Sequence, residues 1–173
     1  MRGGAGKLAR PARRVSAIVL AAIAVLAAGC GSSSPAGGPG SAGEGTSRVT
    51  VEAKSLARVG TVLVTPSGAA LYMFVPDKQR RVTCKGYCAK IWPPLKLPAG
   101  ATLAAGSGVR QSLLGSDPDP SGGRVVTYNG WPLYTYSADV QAGQTAGQGI
   151  NLNGGAWFVM RPSGQPLRTA PGG

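Results

Sequence analysis

One internal repeat constrains the fold of this chain more than any other feature. Residues 71–77 read Leu-Tyr-Met-Phe-Val-Pro-Asp, and residues 133–139 read Leu-Tyr-Thr-Tyr-Ser-Ala-Asp. The same offset of 62 positions also aligns a Val-Thr pair and a glycine upstream of each motif. A register kept over fourteen positions indicates duplication of a structural unit. The sequence therefore predicts a domain built from two similar halves.

The pattern around both motifs is that of short β-strands separated by turns. Val49, Val51 and Ala53 alternate with polar residues, which is the period of a half-buried strand. Asn-Gly and Pro-Ser-Gly turn sequences separate apolar runs and predict hairpins. We therefore expect an all-β domain with a short helical turn near Cys88. The predicted hairpins pair residues 61–65 with 70–74, 125–128 with 132–136, and 156–160 with 165–168; a further strand is predicted at 109–114, and the loop 115–123 follows it.

The N-terminus has the pattern of an export signal. A basic segment precedes an apolar run at residues 15–28, which is too short for a permanent membrane span. The run ends in Leu-Ala-Ala-Gly-Cys, which resembles the lipobox of bacterial lipoproteins, whose cysteine receives acyl chains such as palmitate. This predicts lipidation at Cys30 and location outside the cytoplasm at the cell membrane. The predicted segments are a signal peptide at 1–29, a lipidated Gly/Ser-rich tether at 30–48, the β domain at 49–168 and a disordered tail at 169–173.

Much of the positive charge belongs to the signal peptide. Five of the 18 basic residues lie within residues 1–29, so 13 basic and six acidic residues leave a mature net charge of +7. This surplus suits a protein held near anionic lipid or an anionic cell-wall polymer, whereas nucleic acid is a poor partner for an exported protein. Part of the surplus forms a basic cluster between the motifs, which is either a solvated loop or a docking surface: Lys78, Arg80, Arg81, Lys85 and Lys90.

The chain contains no histidine, which removes the usual neutral-pH general base and the commonest metal ligand. Neither a metal nor a cofactor is expected. With Cys30 lipidated, Cys84 and Cys88 remain as a pair, and a disulfide is their expected state in an oxidising compartment. Three residues separate them, rather than the two of a thioredoxin-type redox motif. A structural staple is the simpler interpretation, and a switchable disulfide is the alternative.

The repeated aromatic residues and acids each allow two interpretations. Tyr72 with Phe74, and Tyr134 with Tyr136, place two rings on one face of a strand. These rings either pack in the core or form a platform that stacks on a sugar or another flat ligand. The acids that close the motifs either fix a turn or act as a catalytic pair. These acids are Asp77 and Asp139. Each is followed further along the chain by a tryptophan, Trp92 after Asp77 and Trp157 after Asp139.

The combined motifs resemble a family of bacterial lipoproteins with secreted repeats. The residues that carry this resemblance are the two Tyr-x-aromatic-x-x-Asp copies, the segment Cys-x-x-x-Cys-Ala-Lys-x-Trp-Pro-Pro-Leu at 84–95, the segment Tyr-Asn-Gly-x-Pro-Leu-Tyr at 128–134, and Gly-Gln-Gly at 147–149. The family is named for its Yx(F/W/Y)xxD motif and has no known function. The resemblance implies an envelope lipoprotein with tandem repeats, and it implies no catalytic or binding residue.

We therefore expect a membrane-anchored envelope lipoprotein whose β domain is a non-enzymatic binding or structural module. The competing hypothesis is an extracytoplasmic enzyme or redox accessory. That protein would use either Asp77 with Asp139 or the Cys84/Cys88 pair.

Overall fold

Short strands joined by tight turns make up most of the regular structure in the computed structural model, which describes residues 47–78 and 81–168. The strands there are β1 Arg48–Leu56, β2 Gly60–Val64, β3 Tyr72–Phe74, β4 Lys96–Leu97, β5 Thr102–Ala105, β6 Leu114–Pro118, β7 Arg124–Tyr128, β8 Trp131–Pro132, β9 Asn151–Leu152 and β10 Gly155–Val159. The helix α1 spans Tyr87–Ile91, and single 3-10 turns occupy Val75–Asp77 and Gln111–Leu113. The predicted all-β class with a short helical turn is confirmed.

The strands form three small sheets. Their orders are β2-β1-β5, β3-β10-β9 and β4-β7-β6, with β8 pairing onto β7. The β1–β5 pair is parallel, and the other strand pairs are antiparallel. In the part of the chain that the structure describes, no helix is both long and apolar enough to cross a bilayer.

The turns lie at the predicted positions, but the pairing in two of the hairpins is shorter than predicted. Residues 72–74 pair with β10 instead of β2, and Tyr134 pairs with Tyr72 instead of β7. At the first turn the Thr65 N–H donates to the Ala69 carbonyl over 2.9 Å, and Gly68 has a φ of 85°. At the second, Asn129 and Gly130 have φ values of 50° and 77°. Positive φ at both central residues is the requirement of a type I′ hairpin turn. The third hairpin is closed by the Arg161 N–H, which donates to the Gln165 carbonyl over 3.0 Å.

The predicted strand at residues 109–114 is wrong. Strand β6 instead runs from Leu114 to Pro118, so it begins at the last residue of the predicted strand and continues into the segment predicted as a loop. The register pairs Leu114 with Tyr128, the last residue of β7. Strand β7 ends at Tyr128, because the next residue, Asn129, begins a turn. Residues before Leu114 therefore have no β7 residue opposite them with which to form a strand. Pairing with β7 holds a Leu-Gly-Ser-Asp-Pro sequence that has poor strand propensity of its own.

Strands β2 and β3 are buried on both faces and separate two apolar clusters. Val62, Val64, Tyr72 and Phe74 lie in the first cluster, together with the repeat tryptophans. The alternate residues, Leu63, Leu71 and Met73, lie in the second. This period-2 partition means that the first repeat motif forms the layer between two cores.

The predicted signal peptide, Cys30, tether residues through 46 and tail residues 169–173 lie outside the described residues. Strand β1 begins at Arg48, which is the last residue of the predicted tether.

Candidate functional site

The two repeat motifs meet at their tyrosines. The Tyr72 N–H donates to the Tyr134 carbonyl over 2.8 Å, and the Tyr134 N–H donates to the Tyr72 carbonyl over 3.0 Å. This reciprocal pair is an antiparallel bridge between equivalent residues of the two copies. Equivalent residues that pair with each other imply a local pseudo-two-fold axis between them. The repeats are therefore arranged around this bridge.

The side chains of the motif are exchanged across that axis. The Tyr72 hydroxyl donates to Asp139 Oδ2 over 2.6 Å, and the Tyr134 hydroxyl donates to Asp77 Oδ2 over 2.7 Å. Each tyrosine therefore binds the acid of the other copy rather than its own. The duplicated residues form two cross-braces, which we call the Tyr–Asp braces, between the halves of the domain.

Aromatic rings from both copies form a stack beside the braces. Trp92 and Trp157 lie parallel, with ring centroids 3.9 Å apart. Phe74 stacks on Trp157 and Tyr136 stacks on Trp92, each at a centroid distance of 4.1 Å. The order Phe74–Trp157–Trp92–Tyr136 therefore alternates between the first and second copies. Offset or parallel ring contacts of this kind add to the free energy of area burial.

The tyrosines extend the symmetric arrangement by meeting the indole rings edge-on. Tyr72 is T-shaped to Trp92 at 5.3 Å, and Tyr134 is T-shaped to Trp157 at 5.2 Å. The two indole N–H groups differ: that of Trp157 donates to the Leu152 carbonyl over 3.0 Å, whereas that of Trp92 is buried without a hydrogen bond to any described residue. The symmetry of the stack is therefore not complete.

Comparison with known proteins agrees with this duplicated geometry. A family model described as a secreted repeat of unknown function matches the chain twice, at residues 56–96 and 117–161. Each matched span contains one complete motif and the tryptophan that follows it. The chain belongs to this lipoprotein family. No curated protein and no solved structure matches it significantly. The description of the family as a secreted repeat indicates a location outside the cytoplasm, and it names no ligand or reaction.

In this secreted-repeat protein each motif acid also closes the connection that follows it. Asp77 Oδ1 accepts hydrogen bonds from the Thr83 N–H and the Thr83 hydroxyl, each at 2.7 Å. Asp139 Oδ1 accepts the Ala146 N–H over 2.8 Å. The donor residue lies six positions after Asp77 in the first repeat and seven positions after Asp139 in the second. Each carboxylate thus joins its own connection to the tyrosine of the other repeat.

Burial of the braces changes their acid–base behaviour. Desolvation raises the pKa of Asp77 above its ordinary value, although hydrogen bonds from Thr83 and Tyr134 oppose the rise. Desolvation is also the main reason that the pKa values of Tyr72 and Tyr134 are raised, and the neighbouring carboxylates add to the effect. These phenols therefore remain neutral hydrogen-bond donors in the folded protein.

The locations of the predicted site residues favour a structural role for the motif. Tyr72, Tyr134, Trp92, Trp157 and Asp77 are all 0% exposed. A platform for a sugar ring requires an exposed aromatic face, which these rings do not have. Partial exposure remains only at the outer member of the stack and the second acid, Tyr136 and Asp139. The structure brings both acids into braces, where each one faces a tyrosine.

The disulfide lies on the first connection, next to the aromatic stack. Cys84 and Cys88 are bonded to each other, and buried Cys84 belongs to the same apolar cluster as Trp92. Within α1, Cys88 and Ile91 pack against this cluster, whereas Tyr87 is 72% exposed and Lys90 is also exposed. Pairs of residues three apart share one face of a helical turn. The disulfide therefore fixes one face of α1 on the core and directs the other face to solvent.

Two residues that hold the second repeat together were not identified as site residues from the sequence. A Cβ on Gly147 would lie 2.6 Å from Trp92 Cη2, so only glycine allows this close approach to the stack. Gln148 is buried; its Nε2 donates to the Leu167 carbonyl over 2.6 Å, and its Oε1 accepts the Val159 N–H over 2.8 Å. The feature of the sequence that could have indicated these two residues is the Gly-Gln-Gly segment at 147–149.

Proposed function

We propose that this protein is a non-enzymatic module of the cell envelope, tethered to the outer face of the membrane by lipidated Cys30. The observation that carries the proposal is the solvent-facing side of the disulfide connection. Tyr87 is 72% exposed there, and four exposed cations accompany it in the same segment of the chain. We call these five residues the basic face: Lys78, Arg81, Lys85, Tyr87 and Lys90. Arg80 of the predicted basic cluster lies outside the described residues.

The basic face has the chemistry of a surface that docks onto anionic lipid. Within residues 47–78 and 81–168, the salt bridge joins Lys96 to Asp119. No cation of the basic face forms a salt bridge with an acid in this part of the chain. Each Lys or Arg near an anionic bilayer contributes about 1 kcal/mol of attraction, and tyrosine favours the headgroup region. Cys30 lies 17 residues before Ser47, the first described residue, so acyl chains on Cys30 would hold the domain near the lipid surface.

The geometry of the repeat acids supports the non-enzymatic part of the proposal. A catalytic acid must reach a substrate, whereas Asp77 is 0% exposed and is hydrogen-bonded to Thr83 and Tyr134. The pKa of Asp77 is raised mainly because the carboxyl is buried. Buried structural hydrogen-bond networks perturb pKa values as active sites do, so this shift is consistent with a structural brace. The repeated residues therefore supply a rigid scaffold, and the exposed surfaces supply the interactions.

Vesicle co-sedimentation tests the basic face directly. The mature chain would carry Cys30→Ser, so that binding does not depend on acylation, and the vesicles would be pure phosphatidylcholine or contain phosphatidylglycerol. Lys85→Glu with Lys90→Glu should weaken binding to the anionic vesicles by more than about 10-fold, because two attractions become repulsions. Added salt should weaken the binding of the unsubstituted chain.

A matched charge reversal at exposed Lys54 and Arg58, in and after β1, provides the control. Equal losses in both double variants would mean that only net charge matters, and the basic face would be rejected. Binding to soluble wall teichoic acid without binding to anionic vesicles would identify a polymer as the partner instead of the lipid surface.

A further inference from the structure

A polar groove lies on the third sheet, away from the aromatic stack and its braces. Its volume is about 480 Å³, which is within the usual range for small-ligand sites. Strand β6 and the end of β7 form its walls. The side chains relevant to ligand binding are those of Ser112, Asp117, Thr127 and Asn129. The groove is independent of the basic face, because it uses none of the same residues.

The register of β6 and β7 builds this groove. Gly115 lies opposite Thr127, and Asp117 lies two residues further along β6, so all three share one face of the sheet. Gly115 has no side chain, and a Cβ there would lie 3.0 Å from Thr127 Oγ1. The missing side chain therefore opens the space between the Asp117 carboxylate and the Thr127 hydroxyl.

The Asp117 carboxylate differs from the other aspartates discussed above. Its Oδ2 atom is shielded from solvent and accepts no hydrogen bond from a described residue. Arg124, the basic residue of β7, donates instead to the Oγ and carbonyl oxygen of Ser116. A buried carboxylate oxygen without a donor is destabilising, because no hydrogen bond replaces the hydration that it has lost. Asp117 as a whole is only half-buried, so a rotation about its χ2 torsion would present this oxygen to a hydroxyl donor of a ligand in the groove.

The remaining lining favours a neutral ligand with many hydroxyl groups. Hydroxyls of Ser112 and Thr127 can both donate and accept, while the Asn129 amide is oriented by its hydrogen bond of 3.0 Å to the Gly164 carbonyl. A cation is less suited to this groove because calcium prefers six or more oxygen ligands with several carboxylates. The described residues contain no group of three His, Cys, Asp or Glu side chains that could hold a metal.

We propose that this groove binds a sugar unit of an envelope glycan. Vicinal hydroxyls of the sugar donate to Asp117, and the Thr127 and Ser112 hydroxyls complete the contacts. The site extends the function proposed above, since it gives the module a second and chemically different ligand. Loss of this site would leave vesicle binding by the basic face intact.

Titration followed by ¹H–¹⁵N NMR tests the groove on the mature chain with Cys30→Ser. The probes are glucose, mannose, galactose and N-acetylglucosamine, each raised to about 50 mM, so that a site with a millimolar Kd would be largely occupied. At least one sugar should shift the amide signals of residues 112–117 and 127–130. Other regions of the spectrum should change little.

Two variants and a control make the test specific. Asp117→Ala removes the acceptor and Gly115→Ala fills the groove, and each should weaken sugar binding by more than about 10-fold. Glu52→Gln removes an acid on β1 outside the groove and should leave binding unchanged. The dispersion of each spectrum reports whether the variant is folded, and Asp117→Asn replaces Asp117→Ala if the latter unfolds. Absence of shifts with all four sugars, shifts with Ca²⁺ alone, or binding unaffected by both groove variants would overturn the proposal.

Discussion

Replacing Tyr134 by phenylalanine removes one oxygen atom from the more deeply buried Tyr–Asp brace. Both Tyr134 and Asp77 are 0% exposed, so water cannot readily take the place of the lost hydroxyl. Asp77 Oδ2 would lose the donor that lies 2.7 Å away. Leaving a buried acceptor without its donor is destabilising by about 1–3 kcal/mol, with the upper part of that range expected for a carboxylate. We therefore expect the free energy of unfolding to fall by about 2–3 kcal/mol.

Tyr72→Phe is the matched variant in the other repeat. It removes the equivalent hydroxyl, but Asp139 is only partly buried, so solvent can hydrate the freed carboxylate oxygen. The Tyr72 hydroxyl also interacts with the Gly147 N–H, which would lose its acceptor. The expected decrease is about 1–2 kcal/mol, smaller than that for Tyr134→Phe.

Urea unfolding followed by far-UV circular dichroism measures both changes. The midpoint should shift while the dependence on urea stays constant, because neither substitution alters the surface exposed on unfolding. A decrease below about 0.5 kcal/mol for Tyr134→Phe would be typical of a neutral surface substitution and would contradict the brace. A larger loss for Tyr72→Phe would contradict the role assigned to burial.

Two further predictions concern alkali and the disulfide. The pKa values of Tyr72 and Tyr134 are raised in the folded state, so folding favours the neutral form of both phenols. Their contribution to stability is fully present below the ordinary tyrosine pKa of about 10, and it is lost as the pH rises above that value. Phenolate absorbance near 295 nm should therefore show two tyrosines that ionise only as the fold is lost; their ionisation in a chain that remains folded would refute this. Replacing Cys84 and Cys88 with serine should lower stability by about 2 kcal/mol in urea, as expected for so short a loop, and an unchanged midpoint would exclude a structural staple.

The sequence predicts the turns of the hairpins well, because these turns carry strong local signals, but it does not show where a strand changes its partner, as β3 does when it pairs with β10. Asn129 and Gly130 both tolerate positive φ, so their turn type can be derived without knowledge of the surroundings. Strand β6 shows the opposite case. Its Gly-Ser-Asp-Pro sequence has no strand signal, and it is extended only because β7 lies beside it.

The exchange of partners between the motifs could not be derived from the sequence. The repeat predicts that each copy contains a tyrosine and an acid, but local spacing favours no particular partner for either. The exchange depends on the antiparallel bridge between Tyr72 and Tyr134, which is a long-range contact. Likewise, the stacking of Trp92 on Trp157 needs both connections to fold over the bridge, and those connections differ in length and composition.

The braces also explain how a duplicated motif can be specific without being a binding site. A tyrosine, a second aromatic residue and an acid at this spacing provide one half of a brace and one half of a stack. Two copies are required because each half binds the other. We therefore expect surface residues outside the motif, such as those of the basic face and the polar groove, to distinguish one member of the family from another in ligand.

A double-mutant cycle between the repeats tests the exchange most directly. The cycle would measure urea unfolding of Tyr134→Phe, Asp77→Ala and their combination, with a second cycle that pairs Tyr134 with Asp139 of the same motif. We predict a coupling free energy of about 1–2 kcal/mol between Tyr134 and Asp77, and coupling within about 0.5 kcal/mol of zero between Tyr134 and Asp139. Stronger coupling within the motif than between the repeats would contradict the exchanged braces.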